Sequence, residues 1–347
     1  FYLGLLVLII GILFSKQKKE IKAMVIFIIL VFLGTFRDGV GTDFYMYKNF
    51  FYKLQYTNFE TLVLKGWPSE IGYMNLNKII YNIFKNDVFL FFTVSAIIYG
   101  FIIKCIFDYS EEYKLSLILF ISLGYFHSSF NGIRQYISIA VCMFAIRYIE
   151  KGSMYKYIIT IIVASLFHKS ALIMIPVYFI NKLKLSKINL YIVLIISIVF
   201  GCLYDFVVFK ILPKVSIYYY EKYINTTYID SGIGGPINLV YIISFIIICM
   251  IAIHLIKEME STYEYNILFL KLCIISIPFM ILGMKSQVLF RISLYFSIYY
   301  IYLIPIIIKK FSIRTRFWVY PVMIIWIVFF YTTTLLYRDG AIPYNII

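Results

Sequence analysis

The stretch KEIKAMVIFIILVFLGTFRDGVGTDFYMYKNF, residues 19–50, contains the pattern that decides the fold: an apolar run from Ile21 to Phe36 ends at a turn of charges and glycines. Similar runs recur along the chain, in which 63% of the residues are hydrophobic and the mean hydropathy is +0.90. A soluble globule of 347 residues cannot bury that much apolar surface. Helices of this length cross about 30 Å of hydrocarbon. The sequence therefore predicts an all-α, polytopic integral membrane protein.

The apolar runs predict about ten transmembrane helices in a single membrane domain that covers residues 1–347. The runs lie at 1–14, 21–36, 88–107, 115–130, 133–149, 188–209, 236–256, 265–282, 288–308 and 318–337. The net charge of +15 comes from Lys and Arg dispersed at the helix ends, which argues against a nucleic-acid partner. Short basic loops stay on the cytoplasmic side, and they occur at 16–22, 182–187 and 309–316. The long segments 37–87 and 210–235 are therefore predicted to be extracytoplasmic.

Residues 157–182 are predicted to form a re-entrant hairpin of two half-length helices. The segment is long enough for one tilted crossing, but His168 and Lys169 lie at its midpoint and both of its flanks are basic. A hairpin that enters the membrane and returns keeps both flanks on one side, and such broken helices line a protein cavity.

Two features of the outer segments point to an interface. Residues 71–86 have the pattern of an amphipathic helix, with Ile71, Met74, Ile79 and Ile83 predicted to lie on the membrane plane. Segment 210–235 is rich in Tyr, Asn and Gly, which suits an aromatic belt and, as the alternative, contacts with sugar rings.

The five cysteines lie singly in apolar stretches, so the sequence predicts no metal site and no cofactor.

A small set of ionisable residues stands out in this apolar chain. The set comprises Arg37, Asp43, Glu70, Arg134, His168 and Arg291. Such residues cost at least about 2.5–3.5 kcal/mol each in the middle of a membrane helix, so they are usually paired and functional. Three arginines directed to one face favour an anionic ligand, because a guanidinium donates two parallel bonds to a phosphate. Carboxylates nearby can take a proton, which arginine cannot.

These residues also have structural interpretations. Arg37 and Arg291 could reach lipid head groups from helix ends. Asp43 could stabilise the turn GVGTD through its side chain, and Glu70 could cap the amphipathic helix. His168 fits a structural interpretation least well, because a buried imidazole needs partners for two ring nitrogens.

The chain resembles the EpsG family, the Wzy-type polymerases of bacterial capsular polysaccharides and exopolysaccharides. The resemblance rests on four stretches in order: FRDGVGTDFYMYKNF at 36–50, SEIGYMNLNKI at 69–79, NGIRQYISIAVCMFAIRYIEKGSMYKYIITIIVASLFHKSALIMIPVYF at 131–179, and FRISLYFSIYYIYLIP at 290–305. It implies a GT-C-like arrangement of helices in the bacterial cytoplasmic membrane, with the active site facing outside.

The resemblance also implies a reaction: a growing glycan moves from undecaprenyl pyrophosphate to a sugar hydroxyl of a lipid-linked repeat unit. We expect this glycosyl transfer to be metal-independent. Besides Gly41 in the first stretch, the matching positions are substrate-binding Arg37, Arg134, Arg291, Tyr47 and Tyr295, and catalytic Asp43, Glu70 and His168. Asp43 or Glu70 would accept the proton of the acceptor, with His168 as the alternative base or as a donor to pyrophosphate. The partners would be undecaprenyl-pyrophosphate-linked oligosaccharides, the lipid bilayer, and the chain-length regulator and flippase of the same pathway.

Two other functions remain open. A flippase or other transporter of lipid-linked oligosaccharides would also place charges in a central cavity, although the sequence has no two matching halves. A membrane acyltransferase that modifies the polysaccharide could use His168 as its base with Arg134 nearby.

Overall fold

The computed structural model describes residues 2–56, 70–211, 214, 236–260, 264–337 and 344–346. Most of these residues are helical, and the antiparallel bridge between Arg37 and Ile346 is isolated, so no strand forms within the described ranges. The all-α prediction is confirmed. The predicted outer segment 210–235 lies largely outside the described residues, and so do residues 57–69 of the other outer segment.

The chain forms two compact units, Phe1–Ile175 with Tyr320–Ile347, and Pro176–Val319. The described helices of the first unit are α1 (Tyr2–Phe14), α2 (Lys19–Thr35), α3 (Phe44–Lys53), α4 (Ile71–Phe84), α5 (Asp87–Tyr109), α6 (Tyr113–Ser122), α7 (Tyr125–Ser128), α8 (Ile133–Glu150) and α9 (Met154–Ser165). Two 3₁₀ turns, Leu54–Tyr56 and Lys169–Met174, belong to the same unit.

The second unit is also helical in its described part. Its helices are α10 (Val177–Lys182), α11 (Lys187–Cys202), α12 (Tyr204–Phe206), α13 (Pro236–His254), α14 (Ile256–Glu260), α15 (Glu264–Gly283), α16 (Gln287–Ser297) and α17 (Tyr300–Lys310), with a π turn at Val207–Ile211. α18 (Ile313–Tyr337) begins in this unit, and its residues from Tyr320 onward belong to the first. Within the second unit α15 packs against α11, α13 and α16.

Three described helices are long and apolar enough to cross a membrane: Asp87–Tyr109, Tyr265–Gly283 and Ile313–Leu336. The number rises to five if each of two bent pairs forms one span: α11 with the helix after it, at 74°, and α16 with α17, at 46°. Shorter apolar helices accompany them at Gly4–Phe14, Tyr113–Ser122, Met154–Ser165 and Asn238–His254. The chain is thus an all-helical membrane protein, and the predicted count of about ten spans is not confirmed.

Several predicted crossings are interrupted in the structure. The predicted crossing 115–130 ends as α6 at Ser122, because Gly124 has a φ of +85° and an added Cβ there would lie 2.6 Å from Cγ2 of Thr334. The tight, left-handed backbone at Gly124 therefore ends one helix and starts another. The predicted crossings 188–209 and 288–308 are each divided between two helices at a bend.

The first unit is built around α5, which packs against α2 and α8. α9 in turn packs against α8. After α9 the chain folds back, because the Tyr157 hydroxyl donates to the Met174 carbonyl at 2.5 Å. Residues 157–174 therefore fold back on themselves. The second half of the predicted hairpin 157–182 consists of the 3₁₀ helix Lys169–Met174 followed by the short α10 (Val177–Lys182), instead of one half-length α-helix. Its re-entry into the membrane stays a prediction.

The predicted amphipathic helix is α4, and it lies on the surface of the first unit. Ile71, Ile79 and Ile83 are exposed as predicted, whereas Met74 is buried at 7% exposure. The buried face also contains Tyr73 and is turned toward α3 and α5, which pack against α4. An exposed aliphatic face of this kind suits a helix at a lipid surface.

Candidate functional site

Three of the predicted site residues meet in one partly buried charge cluster. Glu70 lies directly before α4, Arg134 in the first turn of α8, and His168 in the turn after α9. One carboxylate oxygen of Glu70 accepts from Nη1 of Arg134, and the other lies 3.1 Å from Nδ1 of His168. Two segments far apart in sequence thus supply both partners of a single carboxylate.

The electrostatics of the cluster keep Glu70 ionised. Burial by itself would raise the pKa of Glu70, but the hydrogen bond from His168 and the charge of Arg134 lower this pKa to about 2. The side chains of Glu70, Arg134 and His168 are 10%, 20% and 26% exposed, so His168 is the most accessible member. Glu70 does not cap α4 through its side chain, because both carboxylate oxygens are engaged elsewhere.

Two tyrosines line the buried side of the charge cluster. Tyr47 of α3 is 2% exposed, and its hydroxyl is a hydrogen-bond partner of the Arg134 guanidinium. Tyr73 of α4 packs edge-on against the ring of Tyr47, with 6.0 Å between the ring centres, and stacks on Phe50 at 5.8 Å. α3 therefore contributes to the cluster through Tyr47, one of the predicted substrate-binding residues.

Arg37 points into the protein instead of lining an open surface. It is 1% exposed, and its guanidinium donates to the carbonyls of Gly34 (3.3 Å), Val40 (2.9 Å) and Phe130 (2.9 Å). The rings of Phe44, Phe91 and Phe130 surround it, with 4.7–5.6 Å from the guanidinium carbon to their centres. Carbonyls and ring faces together offset the cost of burying this charge. In this arrangement Arg37 ties the turn after α2 to the loop before α8.

The glycine-containing turn behaves as its sequence predicts. Gly39 and Gly41 have φ values of +65° and +96°, so the backbone bends sharply there. A Cβ on Gly41 would lie 2.6 Å from Oδ1 of Asn131, so a side chain there would displace the end of the Asn131 side chain in addition to straining the backbone. The turn ends at Asp43, which is half-buried, accepts from the Thr42 hydroxyl at 3.3 Å and does not cap α3 through its side chain. Asp43 and Tyr47 are one helical turn apart, on the same side of α3.

The other two predicted site residues belong to the second unit. Arg291 and Tyr295 are one turn apart on α16, so they share one face of that helix. Arg291 is partly buried and Tyr295 is 1% exposed. Their roles in substrate binding stay predictions.

Sequence reasoning missed two residues that contact the backbone just before His168, namely Gly72 at Leu166 and Ser138 at Ala164. A glycine in the first turn of a helix and a serine in an apolar helix are both unusual enough to be a signal.

In the part of the chain that the structure describes, no group of three or more His, Cys, Asp or Glu side chains could hold a metal ion.

Comparison of the chain with models of known protein families identifies one family. The model of the EpsG family matches residues 20–346, which is nearly the whole chain. The chain therefore belongs to the EpsG family, and this membership connects it to polysaccharide biosynthesis. No curated protein and no solved structure gives a significant match.

Proposed function

We propose that the protein is a polysaccharide polymerase of the Wzy type, which transfers a growing glycan from a polyprenyl pyrophosphate to the sugar hydroxyl of a lipid-linked repeat unit. The observation that supports this proposal is the charge cluster of Glu70, Arg134 and His168, which combines a cation suited to phosphate with a carboxylate–imidazole pair. Membership of the EpsG family supports a role in polysaccharide biosynthesis, to which the proposed substrates belong.

His168 is the general base in this proposal, and Glu70 positions it. An ionised Glu70 accepts from Nδ1–H, which leaves the lone pair of a neutral imidazole on Nε2. The acceptor hydroxyl gives its proton to Nε2 while its oxygen bonds to the anomeric carbon of the donor sugar. Glu70 itself is a poor base, because its pKa is lowered to about 2.

Arg134 stabilises the leaving group in the same step. The bond from the anomeric carbon to the pyrophosphate oxygen breaks, and negative charge develops on that oxygen. A guanidinium held in place by Glu70 and Tyr47 is oriented before substrate arrives, so it can stabilise this charge without reorganising. Asp43, at the end of the glycine turn, is proposed to bind hydroxyls of a sugar.

Analysis of lipid-linked glycans tests this proposal against the flippase. In cells that lack this gene, a missing polymerase leaves single repeat units on the outer face of the cytoplasmic membrane, and the long polymer disappears. Accumulation on the inner face would instead indicate a flippase. A polymer of normal length that lacks acyl groups would indicate an acyltransferase.

A further inference from the structure

The charge cluster is assembled at one short piece of chain, residues 164–168, which comprise the last two residues of α9 and the turn that leads to the following 3₁₀ helix. We call this piece the turn 164–168. His168 is the last residue of this turn and precedes the 3₁₀ helix Lys169–Met174. Two other helices contact the backbone of the turn, α4 through Gly72 and α8 through Ser138. These are the same helices that bring Glu70 and Arg134.

The contact with α4 requires a glycine. The backbone N–H of Gly72 donates to the carbonyl of Leu166 at 2.9 Å. Gly72 lies two residues after Glu70, and Leu166 lies two residues before His168. A Cβ on Gly72 would lie 2.8 Å from the Leu166 carbonyl oxygen and 3.0 Å from its carbonyl carbon. Those atoms are backbone and cannot rotate away, so a side chain at position 72 would push α4 and the turn apart.

The contact with α8 uses a buried hydroxyl. Ser138 is fully buried, and its Oγ lies 2.7 Å from the carbonyl of Ala164 and 3.3 Å from the carbonyl of Arg134. A serine in a helix often bonds only to the carbonyl four residues earlier. Here the shorter bond leaves the helix and ends on the turn, so it fixes the start of the turn against the helix that holds Arg134.

We propose that Gly72 and Ser138 are positioning residues that clamp the turn 164–168 and thereby set the separation of Glu70, Arg134 and His168. The role of this clamp in catalysis rests on the proposed function, whereas its role in assembling the charge cluster does not. The clamp explains how side chains from three separate segments reach bonding distance although ion pairs alone leave long side chains free to rearrange. Neither residue touches the reacting atoms.

Cysteine cross-linking tests the geometry directly. In a protein whose five native cysteines are replaced by alanine, the pair E70C and H168C reports the separation inside the cluster. The pair D108C and R147C, whose native side chains lie 3.1 Å apart, reports the packing of α5 against α8 away from the cluster. G72A should lower cross-linking of the first pair by a short bifunctional thiol reagent and leave the second pair unchanged. The matched control is G100A in the interior of α5, where the nearest atom to an added Cβ is 3.6 Å away.

Activity is measured on the same substitutions in the otherwise native protein. G72A and S138A should slow polymer formation about 10- to 100-fold, the range expected from displacing a reacting group by about 1 Å. S138T keeps the hydroxyl and should retain most of the activity. S165A should be neutral, because the Ser165 hydroxyl donates only to the carbonyl of Ile162 within its own helix.

The outcomes separate the clamp from the proposed function. Unchanged cross-linking in both G72A and S138A overturns the clamp. Reduced cross-linking with native polymer formation overturns its catalytic role and leaves the proposed polymerase in place. If G72A does not accumulate in the membrane, the comparison of S138A with S138T decides, and equal activity of these two variants overturns the inference. A native protein that forms no polymer from lipid-linked repeat units contradicts the proposed function, while the cross-linking result still judges the clamp.

Discussion

His168 and Glu70 are separated by 98 positions in sequence, yet Nδ1 of the imidazole lies 3.1 Å from Oε1 of the carboxylate. The other oxygen of Glu70 accepts from Arg134, so one carboxylate connects a potential base to a potential phosphate ligand. In the proposed function, this relationship assigns the role of the base to His168, which the sequence left open among Asp43, Glu70 and His168. Glu70 is engaged on both oxygens and orients its neighbours, and His168 is the more accessible group.

The geometry of the Arg134 side chain can be tested with a conservative substitution. R134K keeps the positive charge but loses the planar fork that bonds Glu70 and, in the proposed function, a pyrophosphate. We expect polymer formation to fall about 100-fold or more while the protein still accumulates, as measured by the initial rate with lipid-linked repeat units. The matched control is R147K on the same helix, where Arg147 pairs with Asp108 at 3.1 Å. Native activity of R134K would restrict Arg134 to a structural role.

Arg37 is expected to affect stability more than substrate binding. Its guanidinium bonds three carbonyls from two segments, and a lysine ammonium cannot reproduce that fork. R37K should lower the free energy of unfolding by about 2–4 kcal/mol, seen as a lower thermal midpoint in detergent. R314K, at an exposed position, is the control. A variant with native stability but weaker binding of lipid pyrophosphate would instead support the earlier prediction that Arg37 binds substrate.

The pairing of Glu70 predicts a defined pH dependence of stability. Folding lowers its pKa from 4.5 to about 2, so the stabilisation is fully present above about pH 5 and is lost as the pH falls toward 2. The difference in thermal midpoint between the native protein and E70Q should include the full contribution of the ionised Glu70 at about pH 5. It should shrink below about pH 4.5, where Glu70 begins to protonate in the unfolded chain. A difference that grows below about pH 4.5 would contradict the ion pairing.

The proposed orientation can be tested with single cysteines in the cysteine-free protein. N49C on α3 and S186C before α11 are both at exposed positions, on opposite sides of the membrane in the predicted topology. A membrane-impermeant thiol reagent should label N49C in intact cells and should label S186C only after the membrane is opened. The reverse labelling pattern would place the charge cluster on the cytoplasmic side.

Residue types and local backbone were predictable from the sequence, whereas contacts between distant segments were not. The sharp turn at Gly39 and Gly41 follows from the glycines themselves, and their positive φ values confirm it. The inward direction of Arg37 depends on the carbonyl of Phe130, which local sequence cannot bring close. The prediction that Met74 lies on the exposed face of α4 with the three isoleucines was also wrong. The packing of α4 against its neighbours buries Met74.

Three predicted crossings, 115–130, 188–209 and 288–308, are interrupted in the structure for a related reason. Hydropathy reports how apolar a stretch is, and it does not report where the backbone breaks. The break at Gly124 depends on Thr334, which lies near the other end of the chain. Glu70 was expected to serve as a base or as a cap. Its pairing with both Arg134 and His168 could not be foreseen, because that pairing depends on how the chain folds back after α9.

The central claim is that this protein forms polymer through the pair of His168 and Glu70, and a purified system tests it most directly. The protein is reconstituted in liposomes with lipid-linked repeat units, and the products are separated by length. The account predicts a ladder of polymer with the native protein, no ladder with H168A, and a strong reduction with E70Q, while all three proteins insert equally. A full ladder from H168A would contradict the account, because the proposed base would then be dispensable.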